Sequence, residues 1–219
     1  MNESDKRIAA MAAIEEVRPG MIVGLGTGST AAFAITALGE RRLDIRAVAT
    51  SKASEAMARA AGIPLIDLPA QIDVTIDGAD EIDATLAAIK GAGGAMLREK
   101  IVAAASKRMI VIADASKRVD AIGTAPIPVE VLPFGVAFVS ARLADLGARV
   151  TLRRDFVSDQ GNAIIDCRFD ATIDHMRLAQ NIAAIPGTLG HGLFLIEVSA
   201  AYIADCGVVT RLERHVATD

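Results

Sequence analysis

The chain has no Trp, one Tyr and six Phe, so aromatics make up only 3% of its 219 residues. That thinness removes the stacking platforms that hold single-stranded nucleic acid. It also requires an aliphatic core, and hydrophobic residues reach 52%. Positive charge is scarce too. The 23 Lys and Arg face 27 Asp and Glu, the formal net charge is −4, and no dense basic block occurs. Counterion release from a phosphate backbone needs a basic face, so no nucleic-acid partner is expected. Cys is limited to Cys167 and Cys206. Their spacing is no zinc pattern, and one possible pair is no disulfide framework. Reduced thiols in the cytoplasm are the expectation. The start, MNESDKRIAA, lacks the apolar centre of a signal peptide. No run of about 18 apolar residues is free of charge, Pro and Gly, so no membrane partner is expected.

Several catalytic signatures are also missing. His175, His191 and His215 are scattered and form no H-E-x-x-H spacing, so each reads as structural or solvated rather than as a metal ligand. There is no G-x-S-x-G elbow and no Walker A Gly-Lys-Ser/Thr. No repeat or low-complexity segment stands out.

What is present is an alternation of strand and helix signals. Asp5–Val17 reads as a helix stopped by RPG, MIVGLG as a strand, and STAAFAITALGE as a helix that Ser29 or Thr30 can cap. IRAVAT, IPLIDL, DVTID and RMIVIAD read as strands, ATLAAI as a further one, and SKASEAMARAAG and the segment after GAGG as helices. This interval implies a parallel, helix-covered sheet. Three prolines in GTAPIPVEVLP mark a boundary. Beyond it come strand Val129–Val131, helix Phe134–Leu146, strands Arg149–Leu152 and Ala163–Arg168, helix Ile173–Ile185 and a strand near GLFLIE. That βαββαβ order is ferredoxin-like. The reading is thus α/β, with a Rossmann-like domain over 1–128 and a smaller α+β domain over 129–200. The tail, 201–219, is expected to return to the first sheet.

Four stretches carry chemistry. GLGTGST (Gly24–Thr30) is a Gly-rich strand-to-helix turn. Such turns offer backbone N–H groups to anions, and a tight turn with a capped helix is the plain alternative. It is no dinucleotide fingerprint, because Ser29 falls where the third glycine belongs and Thr50 and Ser51 fall where the ribose-binding acid belongs. DVTIDGADEID crowds Asp73, Asp77, Asp80, Glu81 and Asp83 beside one strand. Two carboxylates ~5 Å apart repel by roughly 3 kcal/mol at an effective dielectric near 20. The stretch is therefore a solvated turn or a site for protons, cations or hydroxyls. Asp77 and Asp80 are the candidates. Asp73, Glu81 and Asp83 read as solvent-facing or paired with nearby bases. KGAGGAMLREK joins Lys90, a flexible turn and a helix bearing Glu99. A Lys beside carboxylates offsets their repulsion and can bind a developing oxyanion. ADASK ends another strand with Lys117. All four stretches are expected on one edge of the sheet, where they suit a small phosphorylated polyol.

The sequence resembles the type A ribose-5-phosphate isomerase family. The resemblance rests on VGLGTGSTA, TSKAS, DVTIDGADEID, IKGAGGAMLREK, VIADASK, PIPVEVLP and DQGNAIIDC, and reaches to about Phe194. It implies interconversion of D-ribose 5-phosphate and D-ribulose 5-phosphate with no metal and no organic cofactor, in a homodimer or homotetramer. It assigns substrate binding to Thr27, Gly28, Ser29 and Thr30, to Asp77, Gly78, Ala79 and Asp80, and to Lys90, Gly91, Ala92 and Gly93. Lys117 joins them, and Lys6 matches a phosphate-holding Lys. Glu99 takes the catalytic base, with Asp77, Asp80 and Lys90 as catalytic partners. Ala92 stands where the family usually has Gly, and the tail after Phe194 departs from the usual pattern. A sugar-phosphate-sensing effector domain without catalysis is the alternative, but a sensor has no need of Glu99. A CoA-transferase-like acyl enzyme lacks its Glu-Asn-Gly type stretch here.

Overall fold

The computed structural model describes residues 3–170 and 173–214. His215 and the end of the tail, on which two of the expectations fall, lie outside the described residues.

The chain opens with α1 (Glu3–Ile14), β1 (Ile22–Leu25), α2 (Ser29–Arg41), β2 (Arg46–Ala49), α3 (Lys52–Ala60) and β3 (Val74–Gly78). Two short strands follow, β4 (Glu81–Ile82) and β5 (Ala88–Ile89), then α4 (Met96–Ala104) and β6 (Met109–Asp114). Next come β7 (Ile127–Val131), α5 (Val136–Asp145), β8 (Arg149–Leu152), β9 (Ala163–Arg168), α6 (His175–Ala183) and β10 (Thr188–His191). Three strands finish it: β11 (Leu193–Phe194), β12 (Ala200–Asp205) and β13 (Val208–Glu213).

The first sheet has the order β13-β12-β6-β3-β1-β2. Its strands pair in parallel except β12 with β13. The parallel strands, counted along the chain, lie in the order 2-1-3-4-5. The switch point therefore falls between β1 and β3, where such sheets bind ligands at the carboxyl ends of their strands. β6 shows how the sheet is covered on both faces. Ile110 and Ile112 enter the core under α1 and α2, while Met109 and Val111 enter the opposite core with Ala103 and Phe194. Alternation of side chains along a strand gives this division, and each buried aliphatic contributes about 1.5–3 kcal/mol.

The second sheet has the order β10-β7-β9-β8 and is antiparallel. In its own strand count that is 4-1-3-2, the order of a ferredoxin-like βαββαβ unit. α5 and α6 cover one face with Val139, Leu143, Leu178 and Ile182. The other face turns toward the first sheet: a Cβ added at Gly190 would meet Leu97 of α4, and one at Gly94 would meet Ile164 and Phe156.

Several expectations need correction. ATLAAI is no strand of the main sheet. Only Ala88–Ile89 pairs, in a three-stranded ribbon of order β11-β5-β4, because the Asp83 carboxylate accepts from Thr85 N, Thr85 Oγ1 and Ala87 N and folds that stretch into a turn. IPLIDL makes only a bridge from Leu65 to Ala47. The last strand of the second sheet is Thr188–His191, not GLFLIE, whose Leu193–Phe194 joins the ribbon instead. α2 has Gly28 as its N-cap and no side-chain cap, so neither Ser29 nor Thr30 serves there.

Candidate active site

The β1–α2 turn is shaped around Asp77. A Cβ at Gly26 would lie 2.1 Å from Asp77 Oδ1, so glycine is what lets the turn press on that carboxylate. Thr27 N and Gly78 N then donate to the same oxygen, at 3.0 and 2.7 Å. Thr27 Oγ1 bonds the hydroxyls of Thr50 and Ser51, at 2.7 and 2.8 Å. Ser51 in turn forms a capping box with Ser54 at the start of α3. The turn is tied to both neighbouring strand ends, and the uncapped first-turn N–H groups of α2 are left to a ligand.

Lys90 and Glu99 arrive from different elements. Lys90 follows the ribbon strand β5, not a strand of the main sheet. Glu99 lies in the first turns of α4. Lys90 Nζ donates to Gly78 O at 2.5 Å and stands 2.9 Å from Asp77 Oδ2 and 3.2 Å from Glu99 Oε2. All three side chains are buried, at 2%, 0% and 4% exposure. Phe194 closes the group, its ring centroid 5.4 Å from Lys90 Nζ.

Burial governs the electrostatics. It pushes the Glu99 carboxyl up; Lys90 pulls it down, and Asp77 and Asp80 push it up again, to about 8. Burial alone would lower the Lys90 ammonium, but Asp77 and Glu99 outweigh that and raise it. A carboxyl that titrates near neutrality beside a fixed ammonium can both accept and return a proton.

A cavity of about 220 Å³ opens in front of this group. Pockets for drug-sized ligands run roughly 300–1,000 Å³, so this one suits a smaller guest. Lys90 and Glu99 line one part of it, with Gly78, Ala79 and Asp80. Gly91, Ala92 and Gly93 form a rim, and Ala92 N donates to Asp80 Oδ2 at 2.8 Å. Ala92 has no positive φ, unlike Gly91 and Gly94, so a side chain is tolerated at that position. The remaining wall is Thr27, Gly28, Ser29 and Thr30 with Lys6 and Lys117. Lys6 Nζ donates to Ser29 Oγ at 2.9 Å. Lys117 ends the short 3₁₀ turn after β6. Both lysines stand near Asp114, where burial pushes the carboxyl up but the Ser116 hydrogen bonds and the two lysines hold it below its ordinary value. A larger cavity, about 610 Å³, is lined by Arg59, Leu68 and Arg98 among others, and neither Lys90 nor Glu99 lines it.

Fourteen of the fifteen residues singled out from the sequence thus face one cavity. Asp77 is the exception: it does not line the cavity and stands behind Lys90, holding the ammonium and the Thr27 and Gly78 N–H groups. Glu81 departs too. It is buried, and accepts from Gly123 N and Ala125 N, because the following loop folds over it. Asp73 is paired with Lys107 at 2.8 Å. Sequence reasoning missed Phe194, Thr50 and Ser51 as supports. TSKAS and the stretch ending at Phe194 stood out as segments, but local pattern assigns no contact to either. Among the described residues no cluster of three or more His, Cys, Asp or Glu could hold a metal ion, and no helix is long and apolar enough to cross a membrane.

Residues 46–207 match the family model described as ribose 5-phosphate isomerase A (phosphoriboisomerase A). The chain belongs to that family. The ribose-5-phosphate isomerase A of Sphingopyxis alaskensis is 53% identical over 210 residues, 92% of each chain. Among solved structures, the ribose 5-phosphate isomerase A of Neisseria gonorrhoeae superposes with a TM-score of 0.95 at 35% identity, over 99% of both chains. A D-ribose-5-phosphate isomerase in complex with phospho-erythronic acid superposes at 0.94, with 35% identity, over 98% of this chain and all of the other. The likeness to the Neisseria gonorrhoeae isomerase spans both sheets.

Proposed function

We infer that the chain interconverts ribose 5-phosphate and ribulose 5-phosphate, and that it does so by proton transfer through a cis-enediol(ate). One observation carries the mechanism: the Glu99 carboxyl, raised to about 8, is buried against Lys90 in a cavity whose other wall holds two lysines and an uncapped helix start. The phosphate lies against the Gly28–Thr30 turn, with Lys6 and Lys117 as counter-charges. The opened aldose then reaches Glu99 with its C1 and C2. Glu99 takes the C2 proton, the C2–H electron pair forms the C1–C2 double bond, and the C1 carbonyl oxygen gains charge. Lys90 stabilises that charge. Asp80 accepts the O2 hydroxyl proton and passes it toward O1. Glu99 returns its proton to C1, which leaves the ketone at C2. Asp77 keeps Lys90 in place from behind. Phospho-erythronic acid, held by the related isomerase, carries a planar carboxylate where the enediolate has its two oxygens, which supports this reading for the present cavity.

We further place the chain in the cytoplasm as a homodimer or homotetramer, in two domains divided near residue 128. Free Cys167 and Cys206 support a reducing compartment, and the exposed Leu132, Phe134 and Phe138 support association. Light scattering checks the oligomer. The chemistry is tested with ribose 5-phosphate deuterated at C2. A primary isotope effect with some label lost to water fits a single exchanging base. Complete transfer of label dependent on a divalent metal would instead mean a hydride shift.

A further inference from the structure

We propose that Arg153 is a positioning residue for this reaction, locking the peptide between Gly91 and Ala92 so that its N–H stays on Asp80. The inference rests on the reading that Lys90 and Asp80 act on substrate. Arg153 follows β8 in the second sheet and lines no part of the catalytic cavity. Asp166 of β9 fixes its guanidinium: Nε donates to Oδ2 and Nη2 to Oδ1, each at 2.7 Å. The fork then reaches across to the first region. Nη2 also donates to Gly91 O at 3.2 Å, and Nη1 to Ala92 O at 2.9 Å.

The geometry of one peptide decides the argument. Gly91 O and Ala92 N belong to the same peptide plane. Arg153 holds its carbonyl end and Asp80 its N–H end, at 2.8 Å. Rotation of that plane would break both bonds at once and remove the donor from Asp80. The segment needs such a hold, because Gly91 and Gly94 adopt φ of 99° and 80°, where glycine is otherwise free to move. Packing assists from the same side. Pro128 backs Gly91, and Phe156, 5.7 Å from the Arg153 guanidinium, backs Gly94. Only a planar fork spans a carboxylate and two carbonyls together; a lysine ammonium is a point charge on a flexible stem.

The test uses the full chain with ribose 5-phosphate. Arg153→Met should lower kcat tenfold or more and change KM less than about threefold, since the phosphate is held on the opposite wall. Arg153→Lys should not rescue kcat. Removing Arg153 also strands the Asp166 carboxylate, so the double variant Arg153→Met/Asp166→Leu is included. It should regain thermal stability but keep the low kcat. Amide exchange provides a readout independent of turnover: the Ala92 N–H should exchange at least tenfold faster in Arg153→Met, with amides of β3 and β6 unchanged. A folded Arg153→Met with wild-type kcat, or a double variant restored to wild-type kcat, would overturn the proposal. An inactive wild-type chain would sink the isomerase reading instead, and unchanged Ala92 exchange would then sink the positioning role as well.

Discussion

Two Lys–Glu pairs stand near the ring of Phe194. In one Lys90 meets Glu99, with Nζ 5.4 Å from the ring centroid; in the other Lys100 meets Glu197, with Nζ 3.7 Å from it. Glu99 and Lys100 are chain neighbours on α4, yet the pairs behave oppositely. Burial pushes both carboxyls up. In Glu197 the Lys100 charge and a directed 2.6 Å hydrogen bond outweigh it, and the carboxyl falls below its ordinary value. In Glu99 the lysine is shared with Asp77, its directed bond goes to Gly78 O, and Asp77 and Asp80 add repulsion, so the carboxyl rises to about 8. The same two residue types give a fixed ion pair in one place and a proton carrier in the other. The further acids beside Glu99, and the Lys100 and backbone hydrogen bonds that Glu197 accepts, make the difference.

Removing the titrating member should have the largest effect. Glu99→Gln keeps the shape but accepts no proton, so kcat should fall 10²-fold or more, about 2.7 kcal/mol of barrier. Its stability should move the other way. The native pKa lies above the unfolded value of 4.5, so wild type loses stability as pH rises from about 4.5 to about 8. The Gln variant escapes that loss, and its advantage in thermal unfolding should grow across the same window. If kcat stayed near wild type, the contrast between the two pairs would have no catalytic meaning.

A second test acts on the added acid. Asp80→Asn should lower kcat about tenfold and also remove one of the charges that raises Glu99. In wild type, kcat/KM should fall about tenfold per pH unit below about 8. In Asp80→Asn that limb should move to lower pH. An unmoved limb would remove Asp80 from the groups that raise the Glu99 carboxyl and leave burial and Asp77 to do so.

Lys117→Ala lies outside both pairs and serves as a control. KM for ribose 5-phosphate should rise about tenfold, roughly 1.4 kcal/mol, with kcat and the pH limb preserved. An unchanged KM would remove Lys117 from phosphate binding.

The smallest effect on activity belongs to the fixed pair. Glu197→Gln should leave kcat within about twofold and the pH limb in place. It should cost about 1–2 kcal/mol of stability near neutrality, because Lys100 loses its partner. Glu197 titrates below its unfolded value, so this contribution is present above about pH 4.5 and disappears as pH falls through the lower native pKa. Denaturant melts at two pH values would show the convergence.

Part of the roster around the cavity, Lys6 and Gly91–Gly93 among it, came with the family resemblance, whereas sequence by itself determined most of the strands and helices, the ferredoxin-like order of the second unit and the main chemical groups. Those depend on local signals: period-two apolar runs, the glycine turn before Ser29, and prolines at the boundary. Tertiary structure alone decided that Asp77 stands behind Lys90, that Lys90 comes from a ribbon outside the main sheet, and that Glu99 and Glu197 part company in their protonation. It also brought Arg153 onto a peptide 62 residues away in the chain. The physical reason is common to all four. Burial, the local dielectric and the distance to a second charge are set by segments remote in sequence, and no local propensity encodes where those segments meet.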